Sequence, residues 1–361
     1  MPIKIGFDTS VCPAWDIYTI AEKANEFGFY GVELGTVRDE LHLPAAADLQ
    51  TDQEIDAVRT LFDGNSVEIA GLASKYSVES DQPHLQRRGV QRNMENIALA
   101  AKLGCSFVRI PLGKPIEGEP AEVTLARIIP PMRELAQAAA NSDLTLLVCN
   151  TPGFASSRDV WFVVDGVDHP DVAAAWNPVL GRAVGERGTV AIPRLGAHNR
   201  LTVMADARFD SHGMFGGYEP LGAGDIEVDR YVDLLKGVLF DGYLMLDWPQ
   251  ARLGDLPEPD EALPAALEFL VSRVKHQDPP LTAYKKDKNA PNWSQAGPAF
   301  VERKVAEAAS TEPGQAAVAD EADHAADDGK PRVSKGGDPR IAKLVAEAVA
   351  KVRAARAARG G

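Results

Sequence analysis

The chain has 361 residues, 45% of them hydrophobic, which is enough for a sizeable buried core in one large domain with an appendage or in two ordinary domains. Its formal net charge of -14 argues against nucleic acid as a partner of the globular body. The opening MPIKIGFDTS carries no charged leader, roughly 18 uninterrupted apolar residues occur nowhere, and Cys12, Cys105 and Cys149 lack paired spacing, so export, membrane spanning, disulfides and a thiolate zinc site are not expected and a cytoplasmic protein is.

One unit recurs along the chain: a short apolar run ending in a polar residue, then a stretch of helical periodicity. The first run is IKIGFD (3–8), followed by Ile17, Ile20, Ala21 and Ala24 at i, i+3, i+4 and i+7, with Pro13 placed to open that helix. YGVELG (30–35) comes next, then Thr51 to Glu54, which has the form of a capping box. VEIAGLASK (67–75) is followed by the helical set Met94, Ile97, Ala98 and Ala101, then by CSFVRIPLG (105–113), LTLLVCN (144–150) and VAAAWN (172–177). A short, poorly defined helical unit around 191–196 leads to RLTVMADAR (200–208). Val228, Tyr231, Val232 and Leu235 precede GYLMLDW (242–248), and the helical set from Leu263 to Val274 closes the series. Eight strands alternating with helices predict a (β/α)8 barrel over residues 1–275, within the usual size of about 250 residues. An open doubly wound sheet is the alternative, but no GxGxxG follows the first strand and a phosphate-loop GKS or GKT is absent.

The segments GFYGVELG, ALAAKLGCSFVRIPLG and PLGAGDIEVDRYVDLLKGVLFDGYLMLDWP resemble the xylose isomerase-like TIM-barrel superfamily of sugar and sugar phosphate isomerases and epimerases. The resemblance covers roughly residues 1–275 and is best in the last segment. It implies a small carbohydrate or sugar phosphate as substrate and one divalent metal held by Glu, Asp, His or Gln, and Glu at the ends of strands five to eight. The matching positions hold Asn150, Asn177, Val203 and Asp247, so one carboxylate survives. A carboxamide has no accessible base and attracts a divalent cation less than a carboxylate does. The expectation is therefore no cofactor, or a weakly bound Mn, Mg, Co or Zn ion on Asp247, Asn150 and Asn177.

Barrel topology predicts that strand ends place Asp8, Glu33, Lys75, Arg109, Asp206, Arg208 and Asp247 around one mouth. Asp247, Lys75 and Glu33 are the candidate catalytic groups. Asn150, Asn177, Arg109, Asp206, Arg208, His84 and His212 are candidates for binding substrate, with Trp176 and Trp248 as flat surfaces for a sugar ring. Each has a plainer alternative. Lys75 with Glu33 or Asp8, and Arg109 with the barrel acids, would also serve as ion pairs, the tryptophans as core, and His42, His84 and His212 as surface residues. His169 and His198 precede their strands and fall at the opposite face. The glycine-rich 213–224 is either a ligand cradle, a lid or a simple turn.

Residues 276–303 are proline- and lysine-rich and are expected to form a linker or strap, and 304–337 is an acidic, alanine-rich segment with the composition of disorder. Residues 338–361 should form a basic amphipathic helix that is solvated, docked on the chain itself or bound to a protein partner. Two function classes stay open: a carbohydrate isomerase, epimerase or related lyase, with a homo-oligomer as one arrangement, and a non-catalytic barrel that binds a sugar-like ligand or a protein.

Overall fold

The computed structural model describes residues 3–249 and 256–275. Eight parallel strands close into a barrel: β1 (Lys4–Asp8), β2 (Gly31–Leu34), β3 (Glu68–Ala73), β4 (Phe107–Pro111), β5 (Thr145–Cys149), β6 (Val172–Trp176), β7 (Asn199–Met204) and β10 (Tyr243–Leu246). Between the last two lies an antiparallel pair, β8 (Asp206–Phe209) and β9 (Phe215–Glu219). Strand β10 closes the ring on β1, with Phe7 beside Leu246, which brings Asp8 and Asp247 next to each other one residue further on. The helices between are α1 (Ile17–Phe27), α2 (Asp52–Gly64), α3 (Pro83–Leu103), α4 (Ala121–Ala140), α5 (Ser157–Val167), α6 (Pro178–Ala183), α7 (Gly188–Leu195), α8 (Val228–Gly237) and α9 (Pro259–Lys275).

Local sequence accounts for these boundaries. Ile17, Ile20, Ala21 and Ala24 are the buried stripe of α1, whose N-cap is Asp16, accepting from the Thr19 N–H at 2.8 Å. Pro13, expected at the helix start, instead lies in the turn before it. Thr51 and Glu54 form the expected reciprocal cap on α2. The ill-defined unit around 191–196 is the end of α7, and a second short helix, α6, precedes it.

The core has two layers. Between strands and helices lies the larger, with Leu146 and Val148 of β5 among its members. Alternate positions of the strands, Ala70, Phe107, Leu147, Cys149, Ala173, Ala175, Leu201, Val203, Tyr243 and Met245, fill the barrel itself. Strands β3 to β7 and β10 thus carry apolar residues on both faces, as parallel sheets covered by helices require, whereas β1 and β2 give none to the interior cluster.

One predicted strand is divided. The run 200–208 leaves the barrel after Met204, and Asp206 to Phe209 turns back to pair with Phe215 to Glu219. Asp210 fixes that turn by accepting from the N–H groups of His212 and Met214 at 2.8 and 2.9 Å. Five of the twelve residues of the glycine-rich 213–224 are therefore strand. The expected linker, acidic segment and basic helix, 276–361, lie outside the described residues. Among the described residues, no helix is long and apolar enough to cross a membrane.

Candidate active site at the barrel mouth

At the C-terminal ends of the strands, three carboxyl groups converge on one guanidinium. Asp8 ends β1, Glu33 lies opposite it on β2, and Asp247 follows β10. Arg109 reaches them from β4: its Nε donates to Glu33 Oε1 at 2.7 Å, its Nη2 to Asp8 and to Asp247 Oδ2 at 3.1 Å, and its Nη1 to Asp247 at 3.2 Å. Gly35 makes room for this cluster, since a Cβ there would overlap the Asp8 carboxylate. The alternative in which Arg109 bridges the barrel acids is thus the arrangement the molecule adopts.

Burial decides the charges. Glu33 is fully buried and its Oε2 has no hydrogen-bond partner. Burial, offset in part by Arg109 and reinforced by Asp8 and Asp247, pushes its carboxyl up to about 8, so it holds its proton at neutral pH. Burial would also raise Asp8, but the charges of Lys75 and Arg109 and the hydrogen bonds from Ser10 carry it below its ordinary value. Arg109 loses solvation yet gains three acids, which hold it well above its ordinary value.

Above the cluster opens a cavity of about 500 Å³, lined by Ser10, Ser74, Lys75, Arg109, Cys149 and Asp247 with an apolar rim that includes Leu41, Pro111 and Pro249. Lys75 is exposed and makes no ion pair within 4 Å among the described residues; its influence on Asp8 is through space. Ser10, which the sequence reading did not single out, donates to Asp8 and stands 3.1 Å from Asp247 Oδ1. Its single proton serves one acid at a time. Cys149 is the inward residue at the tip of β5; its thiol lies 3.9 Å from Arg109 Nη1 and is pushed up by burial, with Arg109 offsetting part. Strict alternation along LTLLVC puts Leu147 and Cys149 on one face, but the sequence does not say that this face looks inward.

Other predicted site residues are placed elsewhere. Asn150 is buried and spends its carboxamide on backbone: it donates to the carbonyls of Ala155 and Asn177 at 3.2 and 3.0 Å and accepts from the Asn177 N–H at 2.8 Å, joining the ends of β5 and β6. Asn177 caps α6, accepting from the Val179 N–H at 3.0 Å. Val203 belongs to the barrel interior. Trp176 is fully buried between β6 and the helices, so no sugar can stack on it at the mouth. Trp248 is buried beside an apolar cavity of about 230 Å³ with Leu221, Leu256 and Phe269. Arg208 projects from the hairpin and pairs with Glu219 and Asp225 at 3.4 and 3.8 Å. His84 is exposed in the first turn of α3 and His212 in the β8–β9 turn, whereas His42 is half-buried against Glu95 at 3.1 Å.

Asp206 is a backbone clamp. Its buried carboxylate accepts from the N–H groups of Ala207, Gly222, Gly224 and Ile226 at 2.8 to 3.0 Å, which folds the glycine-rich segment back on β8. Gly224 comes so close that a Cβ there would overlap the carboxylate. Asp206→Ala is expected to destabilise the protein by about 2–4 kcal/mol, because it strands several of these donors and water recovers only part of the loss. Urea titration checks this, and a loss under about 1 kcal/mol would show that the loop needs no clamp.

The metal set that the resemblance implies does not fit these residues. Its strand-five and strand-six positions are carboxamides engaged with backbone, its strand-seven position is a core valine, and one oxygen of Asp247 is engaged by Arg109. Among the described residues, no three His, Cys, Asp or Glu side chains are grouped so as to hold a metal ion.

Residues 21–273 match the family described as xylose isomerase-like TIM barrel, and the chain belongs to that family. No curated protein matches it. Among solved structures it is similar to 3-keto-D-glucoside 4-epimerase, YcjR, from E. coli, at 12% identity and a TM-score of 0.60, over 75% of this chain and 99% of that one. Similar too is the IolI protein with a bound zinc atom, at 14% identity and a TM-score of 0.64, over 75% and 98%. D-psicose 3-epimerase with D-tagatose, from Clostridium cellulolyticum H10, matches at 15% identity and a TM-score of 0.61, over 75% and 99%. At these identities the likeness establishes the fold, and the site has to be argued from its own residues.

Proposed function

We propose that the protein is a carbohydrate isomerase or epimerase whose small sugar or sugar phosphate substrate occupies the mouth cavity, with Asp247 as the base. The observation that carries this reading is the exposure of the three acids: the Asp247 side chain is 14% exposed and lines the cavity, whereas those of Asp8 and Glu33 are 0% exposed behind Arg109. The family supplies the substrate class, since structures similar to this chain are named as sugar epimerases. In this reading Asp247 takes the proton from the carbon beside a carbonyl, and the electron pair moves onto the carbonyl oxygen. Lys75 stabilises the resulting enediolate oxygen from the cavity wall. The same Asp247 carboxyl returns the proton to the former carbonyl carbon, while the hydroxyl proton of the deprotonated carbon passes to the former carbonyl oxygen and the new carbonyl forms at the deprotonated carbon. One exposed carboxylate suits transfer on a single face, as in interconversion of an aldose and a ketose. Arg109 is here a positioning residue, holding Oδ2 of Asp247, and Glu33 acts only through Arg109.

Incubation with a panel of ketoses and ketose phosphates in D2O tests the reading. Deuterium is expected at the carbon next to the carbonyl of at least one sugar, and Asp247→Asn should slow its entry by about 10²–10⁴-fold. The second reading, a non-catalytic barrel, is favoured by the structural engagement of Asn150, Asn177 and Asp206. Ligand-induced stabilisation by a sugar without exchange at any of its carbons would select that reading instead.

A further inference from the structure

We propose that Arg109 does the work of a bound divalent cation: Asp8, Glu33 and Asp247, with Cys149 beside them, form a cation site that the guanidinium fills and thereby closes to metal ions. Three carboxyl groups drawn from β1, β2 and the end of β10 into a barrel mouth call for positive charge among them, because each one that ionises there without it costs several kcal/mol. Asp8 and Glu33 are sealed from solvent, so free salt ions cannot supply that charge. Arg109 supplies it from the far side of the barrel, and every nitrogen of its fork faces an acid: Nε Glu33, Nη2 Asp8 and Asp247, and Nη1 Asp247 with the Cys149 thiol.

The geometry also explains why a metal is excluded. A divalent ion needs its oxygens about 2.0–2.6 Å from a single centre. Here Glu33 and Asp247 stand at 2.7 to 3.2 Å from different nitrogens of a planar group, so the acids are spread around a polyatomic cation. With the guanidinium removed, three acidic side chains and a thiol would face one void, a donor set that suits cobalt or zinc.

The full-length wild type and Arg109→Ala are dialysed against cobalt chloride, and the metal retained is counted per chain. The wild type should retain less than about a tenth of an equivalent and Arg109→Ala about one, roughly a tenfold gain, with a higher melting temperature in cobalt for the variant alone. A thiolate-to-cobalt absorption in the near ultraviolet should accompany binding, and Cys149→Ser in the Arg109→Ala background should remove it while cobalt stays bound. Arg109→Gln, which keeps an amide in the place of Nε, is the second variant, and both are also refolded with cobalt present. Uptake of one equivalent by the wild type, lost on Asp247→Ala, overturns the proposal. So does failure of both Arg109 variants to retain cobalt, whether they are already folded or are refolded in its presence.

Discussion

Arg109→Met is expected to destabilise the barrel by about 3–5 kcal/mol, the usual result of removing one partner from a buried ion-pair network. Methionine keeps most of the apolar stem and can fill the space between β4 and β1, so packing changes little and the lost charge dominates. What remains is a mouth in which Asp8 and Glu33 are buried and Asp247 is close by, with no cation in ion-pair contact with them among the described residues and Lys75 acting on Asp8 only through space. At about 2–4 °C per kcal/mol for a domain of this size, the melting temperature should fall by roughly 10 °C. The deficit should depend on pH. Without the guanidinium the acids hold protons more tightly in the folded protein than in the unfolded chain, so the variant loses further stability as pH rises and recovers part of it in acid. Urea titrations at pH 5 and pH 8 measure this. A small deficit, under about 1 kcal/mol and equal at the two pH values, would mean that something other than Arg109 balances the acids.

The barrel was legible in the sequence because it depends on repetition: each of the eight runs falls on one of its strands, with β7 starting one residue before its run, and the buried stripes of α1 and α8 are the residues whose spacing marked them. Which face of a strand looks inward was not legible. In LTLLVCN the residues that meet the helices and those that fill the barrel are equally apolar, so period two divides them without naming the inner set. Asn150 was the conspicuous polar residue, yet it stands one position past the inward Cys149, and its carboxamide is engaged with backbone that only the folded loops bring near. Asp206 and Asn177 share that history, since a carboxylate aimed at its own loop and one aimed at a ligand are written with the same letters. Arg109, Glu33, Asp8 and Asp247 were predicted to share a mouth from topology alone. Their common contact needs the register of β1 with β2 and β10.

Replacing Glu33 by glutamine should remove a pH dependence that the wild type shows. The folded Glu33 carboxyl titrates at about 8, against 4.5 for an ordinary glutamate, so between those values the folded protein holds a proton that the unfolded chain has released. Folding then takes up a proton, and stability falls as pH rises through that window and levels off above it. At about 1.4 kcal/mol per pH unit the gap sets an upper bound on the order of 5 kcal/mol for this one group. Asp8, held below its ordinary value, has the opposite sign: its contribution is present at neutral pH and lost as pH falls through its folded value. His42 also opposes Glu33, because burial first and the Arg92 charge second lower it, so that stability gained from this ring rises with pH. The comparison with Glu33→Gln cancels both. Glutamine keeps the acceptor for Arg109 Nε and puts an N–H₂ where the protonated acid carries its hydroxyl, so it imitates the neutral form at every pH. The variant should therefore match the wild type near pH 5 and exceed it by a few kcal/mol near pH 8.5, measured as urea midpoints at a series of pH values. Parallel curves for the two proteins would place the buried proton on a group other than Glu33.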